Sequence, residues 1–143
     1  MYGMSERSVR ELANNLKHGK KGAEALFGVR GTAYLTHTAE NLPFPAVQCP
    51  SLEDVCESKA DYARSVKMQY DEQDFVTGKA LLQRHGKHLL VQNPPAKPLT
   101  TAEMDEVYAL PYQRAYHPSY EAAGGVPAIQ EVQFSIIHNR GCF

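Results

Sequence analysis

The sequence predicts an α+β fold: a mixed α/β piece in which a small sheet carries two or three helices and the C-terminal third is irregular. Three observations point there. Apolar runs at 29–35 (VRGTAYL), 80–83 (ALLQ) and 89–92 (LLVQ) are of strand length and are bounded by glycine, proline or a polar turn. Two longer stretches repeat apolar residues at helical spacing behind capping residues. The run LPYQRAYHPSYEAAGGVPAI at 110–129 is rich in tyrosine, proline and glycine, and shows no period longer than a few residues.

The elements follow in order. Met1, Tyr2 and Gly3 read as the end of a strand entering a helix. Ser8 with Glu11 fits a capping box, with Ser5 as the alternative N-cap, and Val9, Leu12, Ala13 and Leu16 then share one face. Gly19 supplies a C′ stop. Strand, turn and helix at the start suit the last unit of a doubly wound α/β domain. After the strand at 29–35, THTAENLPFP is a loop, and residues 46–49, between prolines, form a shorter strand.

Pro50 and Ser51 open the clearest helix, which runs to about residue 70. Acidic residues sit in its first turn, where the positive end of the helix dipole favours them. Leu52, Cys56, Ala63, Val66 and Tyr70, interrupted by Lys59, mark its apolar stripe. RHGKH between the runs at 80–83 and 89–92 predicts a hairpin with Gly86 in the turn, and His85 and His88 as exposed turn residues. Residues 93–98 (NPPAKP) form a stiff polyproline-like connector. Thr100 and Glu103 cap a helix through about Tyr108. Tyr108, Tyr112, Tyr116 and Tyr120 recur every fourth residue, but Pro111 and Pro118 forbid one continuous helix. Such a segment buries aromatic area by wrapping another domain. Residues 132–137 then read as a buried strand, left by a turn at Asn139, Arg140 and Gly141.

Charge and composition narrow the function classes. Fifteen basic and sixteen acidic residues leave a net charge of −1 with no like-charged block, so there is no electrostatic signal for nucleic acid or an anionic membrane. No apolar run reaches the ~18 residues of a membrane span and no signal peptide is evident, which places the expectation in the cytoplasm. Cys49, Cys56 and Cys142 are odd in number and widely spaced, which argues for reduced thiols; six residues separate Cys49 from Cys56, more than zinc knuckles use. There is no G-x-S-x-G elbow and no H-E-x-x-H helix. His117 before Pro118 reads as a hydrogen-bonded loop residue, and Asp71, Glu72 and Asp74 as solvated acids after a helix. No catalytic residue is assigned.

The segments MYGMSER, VRGTAY, LLQRHG, NPPAKPLTTAEMDEVYALPYQRAYHPSY, VPAI and VQFSIIHNRGCF, in this order, resemble the YgiQ-type radical SAM family across essentially the whole chain. NPPAKPLTTAEMD, LPYQRAYHPSY and the terminal RGCF are the most specific pieces; Ser5 stands where the family usually has glycine. The resemblance implies a cysteine motif Cys-x3-Cys-x2-Cys whose three thiolates hold a four-iron cluster that binds S-adenosylmethionine. Cys142 is by this resemblance the first cluster ligand. The other two are absent from this sequence, so no cluster or S-adenosylmethionine is expected on this chain alone.

The implied organisation is residues 1–28 as the end of an N-terminal Rossmann-like domain, 29–128 as a connector, and 129–143 as the first strand and cluster loop of a barrel. The upstream portion resembles a cobalamin-binding type of Rossmann fold, but the residues that would contact cobalamin are mostly outside this sequence, and whether it binds cobalamin stays open. The function expected is that of a noncatalytic part of a radical SAM enzyme, N-terminal to the catalytic barrel, whose partners are the remaining domains of its own chain. The alternative is a free-standing protein–protein interaction module. Exposed strand edges, the FSII strand included, predict self-association or disorder near both ends.

Overall fold

The computed structural model describes residues 1–135, in two compact units, Met1–Thr100 and Thr101–Phe143. The first unit is built on four strands: β1 (Ala33–Thr36), β2 (Ala46–Gln48), β3 (Ala80–His85) and β4 (His88–Gln92), in the order β1-β4-β3-β2. β3 and β4 form the expected hairpin. Its turn is only Gly86 and Lys87, and Gly86 takes φ 55, a left-handed conformation that lets so short a connection follow the strand twist. His85 and His88 are therefore paired strand ends, not turn residues, because the hairpin zips two residues further than the apolar runs suggest.

β2 pairs with β3 in parallel, which requires a crossover. Two helices provide it, α3 (Leu52–Glu57) and α4 (Lys59–Asp71). The sequence suggests one continuous helix here, but Ser58 leaves helical geometry at φ −125, ψ 115, and its hydroxyl accepts from the Asp61 amide at 3.2 Å, starting α4 afresh. Ser51 caps α3 as expected, with Asp54 returning the bond to the Ser51 amide at 3.0 Å.

Alternation along the strands divides the sheet into two faces. Tyr34, Leu82, Leu89 and Val91 point to one side and form the core with Ala23, Leu26, Leu42 and Ala46. Val91 is fully buried, worth roughly 1.5–3 kcal/mol. Ala23 and Leu26 come from α2 (Gly22–Leu26), a helix of one turn and a half that no periodicity in so short a stretch announces.

Residues 29–32 are a junction, not the start of a strand. Gly31, at φ +71, donates its amide to Pro94 O at 2.8 Å and accepts from the Tyr2 amide at 2.8 Å. A Cβ there would lie 3.2 Å from Ala96 Cβ and from Tyr2 O, so only glycine lets three chain segments meet. Asn93 locks the same point, its Nδ2 donating to Val29 O at 2.9 Å, Thr32 Oγ1 at 3.1 Å and Leu26 O at 3.2 Å. Arg30 extends from it to Phe75 O at 2.7 Å and Pro95 O at 3.0 Å, its guanidinium lying over the Phe44 ring. The polyproline stretch is thus tied to the sheet by its carbonyls, which proline keeps. Tyr2, expected at the end of a strand, is held by these junction bonds outside any strand.

Helix α1 (Glu6–Lys17) starts after Ser5, the alternative N-cap, and ends before Gly19 at φ +85. Ser8 is not a cap: it lies inside the helix, buried, and donates to Arg30 O at 2.6 Å.

In the second unit α5 (Thr101–Tyr108) forms as expected, followed by a 3-10 turn (Pro118–Ala123) and a short α6 (Ile129–Val132). None of its described residues is buried. The strand expected at 132–137 is corrected where it is described: Val132 ends α6, Gln133 and Phe134 form a turn, and Phe134 is 89% exposed. An apolar alternation makes a strand only when a neighbour pairs with it, and residues 132–135 have none among the described residues. Residues 136–137, the turn at 139–141 and Cys142 lie outside the described residues.

Candidate docking surface

The residues singled out for chemistry are employed locally. Cys49 is buried at the end of β2, its amide bonded to Leu82 O at 2.8 Å, and burial pushes its thiol pKa up, the opposite of an activated thiolate. Cys56 is exposed on α3. His117 is a cap, its Nδ1 accepting from the Ser119 amide at 3.2 Å. Asp71 pairs with Lys67 at 2.7 Å along α4. Glu72 accepts from the Lys79 amide at 2.7 Å. Asp74 folds the following turn, accepting from Thr77 Oγ1 and from the Val76 and Thr77 amides, and the Thr77 hydroxyl contributes most to holding its carboxyl below the usual range.

Among the described residues no three His, Cys, Asp or Glu side chains converge to hold a metal ion. With one cysteine buried in the sheet edge and the other exposed on α3, the described residues do not fit an iron–sulfur cluster, which needs thiolates converging from one loop. Cys142, the residue assigned to that cluster, lies beyond them.

What the structure does present is apolar surface facing solvent. Both long helices turn much of the apolar face that their periodicity marks toward solvent. α1 directs Ser8 and Asn15 inward, Asn15 Nδ2 donating to Ala25 O at 2.9 Å, and leaves Val9 and Leu16 47% and 52% exposed. α4 buries Ser65 and leaves Tyr62, Val66 and Tyr70 exposed at steps of four, hence on one flank. The residues of the predicted stripe are divided by the break at Ser58, Leu52 and Cys56 on α3 and Ala63, Val66 and Tyr70 on α4, and all are exposed.

On α1 the physical reason is that Ser8 and Asn15 bond directly to the backbone carbonyls of Arg30 and Ala25 and approach more closely than a branched apolar residue would. One helix flank is wet as a consequence. Beside α4 and the polyproline stretch lies a cleft of 480 Å³ lined by Tyr2, Met4, Phe75, Pro95 and Pro98 among others.

The second unit repeats the theme. Tyr108, Leu110, Tyr112, Tyr120 and Val132 are about half exposed, and Tyr108, Tyr112, Ile129 and Val132 border a groove of 560 Å³. None of the described residues of this unit is buried, so these rings form an apolar surface open to solvent. Isolated apolar residues on a surface are ordinary; runs aligned along two helices and a whole unit are not.

Comparison with known proteins gives the context of this surface. The family model described as "Radical SAM N-terminal" matches residues 1–135. A UPF0313 protein of Clostridium botulinum (strain ATCC 19397 / Type A) is 48% identical over 143 residues, covering 100% of this chain and 22% of the relative. A UPF0313 protein of Clostridium perfringens (strain SM101 / Type A) is 44% identical over 142 residues, covering 99% of this chain and 21% of the relative. The chain therefore spans about 22% of the length of the curated relatives it matches. No solved structure matches it.

Proposed function

The chain belongs to the radical SAM N-terminal family, and from that premise we propose that it is the noncatalytic, scaffolding part of a radical SAM iron–sulfur protein, docking through its exposed apolar flanks onto the remaining domains of the parent polypeptide. The observation that carries this reading is the outward-facing stripe Tyr62, Val66, Tyr70 on α4, seconded by Val9 and Leu16 on α1. A helix that turns its polar side inward and its apolar side outward is stable within a larger protein when a second apolar surface covers it. The relatives are more than four times as long as this chain, which leaves ample polypeptide to do so.

In this reading the unit Met1–Thr100 joins the end of an N-terminal α/β domain, residues 1–28, to the connector, 29–128, and 129–143 lead into the catalytic barrel. Cys142 is the first of three cluster ligands, and a four-iron cluster with S-adenosylmethionine belongs to the parent. This chain alone carries one of those three thiolates and works in the cytoplasm as structural support. Among the described residues no helix is long and apolar enough to cross a membrane.

Hydroxyl-radical footprinting tests the docking. Tyr62 and Tyr70 are expected to be oxidised readily in this chain and to be protected several-fold in the full-length parent. Equal modification in both contradicts the reading.

A further inference from the structure

One end of the sheet gathers histidines from β3, β4 and the residue just past β1. β1 and β4 are antiparallel with Thr36 opposite Leu89, and the same register carried one residue further sets His37 opposite His88. β4 and β3 set His88 opposite His85. Residues directly opposite in adjacent strands share a face, so His37, His88 and His85 form a row beside the Gly86 turn.

The first two of these rings are already close: their centroids lie 4.9 Å apart with the planes tilted by 40°. Both residues are exposed, and among the described residues neither ring is committed to a hydrogen bond. His85 differs, being half-buried with Nε2 3.0 Å from Gln83 Oε1.

Zinc–imidazole bonds of about 2.0–2.1 Å at tetrahedral angles place two ligating rings with centroids roughly 5 Å apart. The observed separation of His37 and His88 matches that spacing. We propose that His37 and His88 form a binding site for a divalent transition cation of the imidazole-preferring class, with water completing the coordination, and that the bound ion clamps β1 to the β3–β4 hairpin. Hard cations such as magnesium and calcium prefer oxygen ligands and are not expected there. As no three ligand-type side chains converge among the described residues, the site is a two-imidazole one. It is independent of the docking surface on α4.

Titration of the 143-residue chain with zinc chloride, followed by NMR of the histidine rings, tests it. His37 and His88 are expected to shift together and saturate at one equivalent. His37→Gln and His88→Gln should each weaken that binding at least ~10-fold, a loss that even changes outside the coordination shell can produce, while His117→Gln leaves it unchanged. Both substituted residues are exposed, so the variants keep the fold, and circular dichroism verifies it. Rings that fail to shift, a shift of one ring alone, or variants that titrate like the original chain would each overturn the proposal.

Discussion

Asn93 shows how one side chain replaces a missing stretch of sheet. Its amide nitrogen reaches Val29 O, Leu26 O and Thr32 Oγ1, and the residue is 1% exposed. Two of those acceptors have a second donor: Thr32 Oγ1 bonds Val29 O at 2.6 Å and the Val29 amide bonds Leu26 O at 3.0 Å. Removing the amide therefore weakens a network without stripping every member. Asn93→Ala is expected to destabilise the chain by about 2 kcal/mol, the scale of leaving buried polar groups short of partners. A urea unfolding curve checks it, and a change under ~0.5 kcal/mol, the scale of an ordinary surface substitution, would contradict the role given to the junction. Nothing in NPPAKP announces that its first residue is the lock. The long-range bonds it makes, more than sixty residues away in sequence, leave no local pattern.

Among the elements, α3 shows most directly how capping chemistry sets a pH dependence. Its Asp54 carboxyl is held below the usual range, mainly by the Ser51 hydroxyl. Glu53 is likewise lowered, first by its own amide and then by the Gly86 amide at 2.9 Å. A carboxylate whose pKa is lower in the folded state contributes stability that is complete above its unfolded value and disappears as pH falls through the folded value. The loss is thus expected on the acid side, below about pH 4. Thermal unfolding across pH should show that acid limb, and Ser51→Ala should flatten it while costing about 1 kcal/mol at neutral pH. An acid limb unchanged by Ser51→Ala would contradict the assignment.

The Ser51 cap, the β3–β4 hairpin and the helix from about 101 to Tyr108 were legible in the sequence, because caps, glycine turns and periodicity act over a few residues. The break at Ser58 has a local signal too, a serine three residues before Asp61, but an apolar period that resumes beyond Lys59 masks it. Which flank of α1 and α4 faces inward was not legible. Periodicity reveals that a stripe exists, and the partner that covers it decides whether the stripe is inside.

At the scale of the whole molecule, the residue assigned to chemistry, Cys142, lies outside the described residues, and what those residues present is surface. Apolar flanks on α1 and α4, and a second unit none of whose described residues is buried, face outward as a scaffold's docking surfaces would. The site expectation rests on Cys142 and its resemblance to a cluster motif, and sequence reasoning found no sign of the outward-facing helices. Spacing can identify a thiolate motif, whereas exposure depends on the packing of the complete fold. The central claim is that this chain supports cluster chemistry without housing it. Anaerobic iron–sulfur reconstitution of this chain, alongside a longer form that includes all three motif cysteines, measures that directly by iron content and visible absorbance. The account predicts a cluster in the longer form and none here; four irons bound per molecule of this 143-residue chain would contradict it.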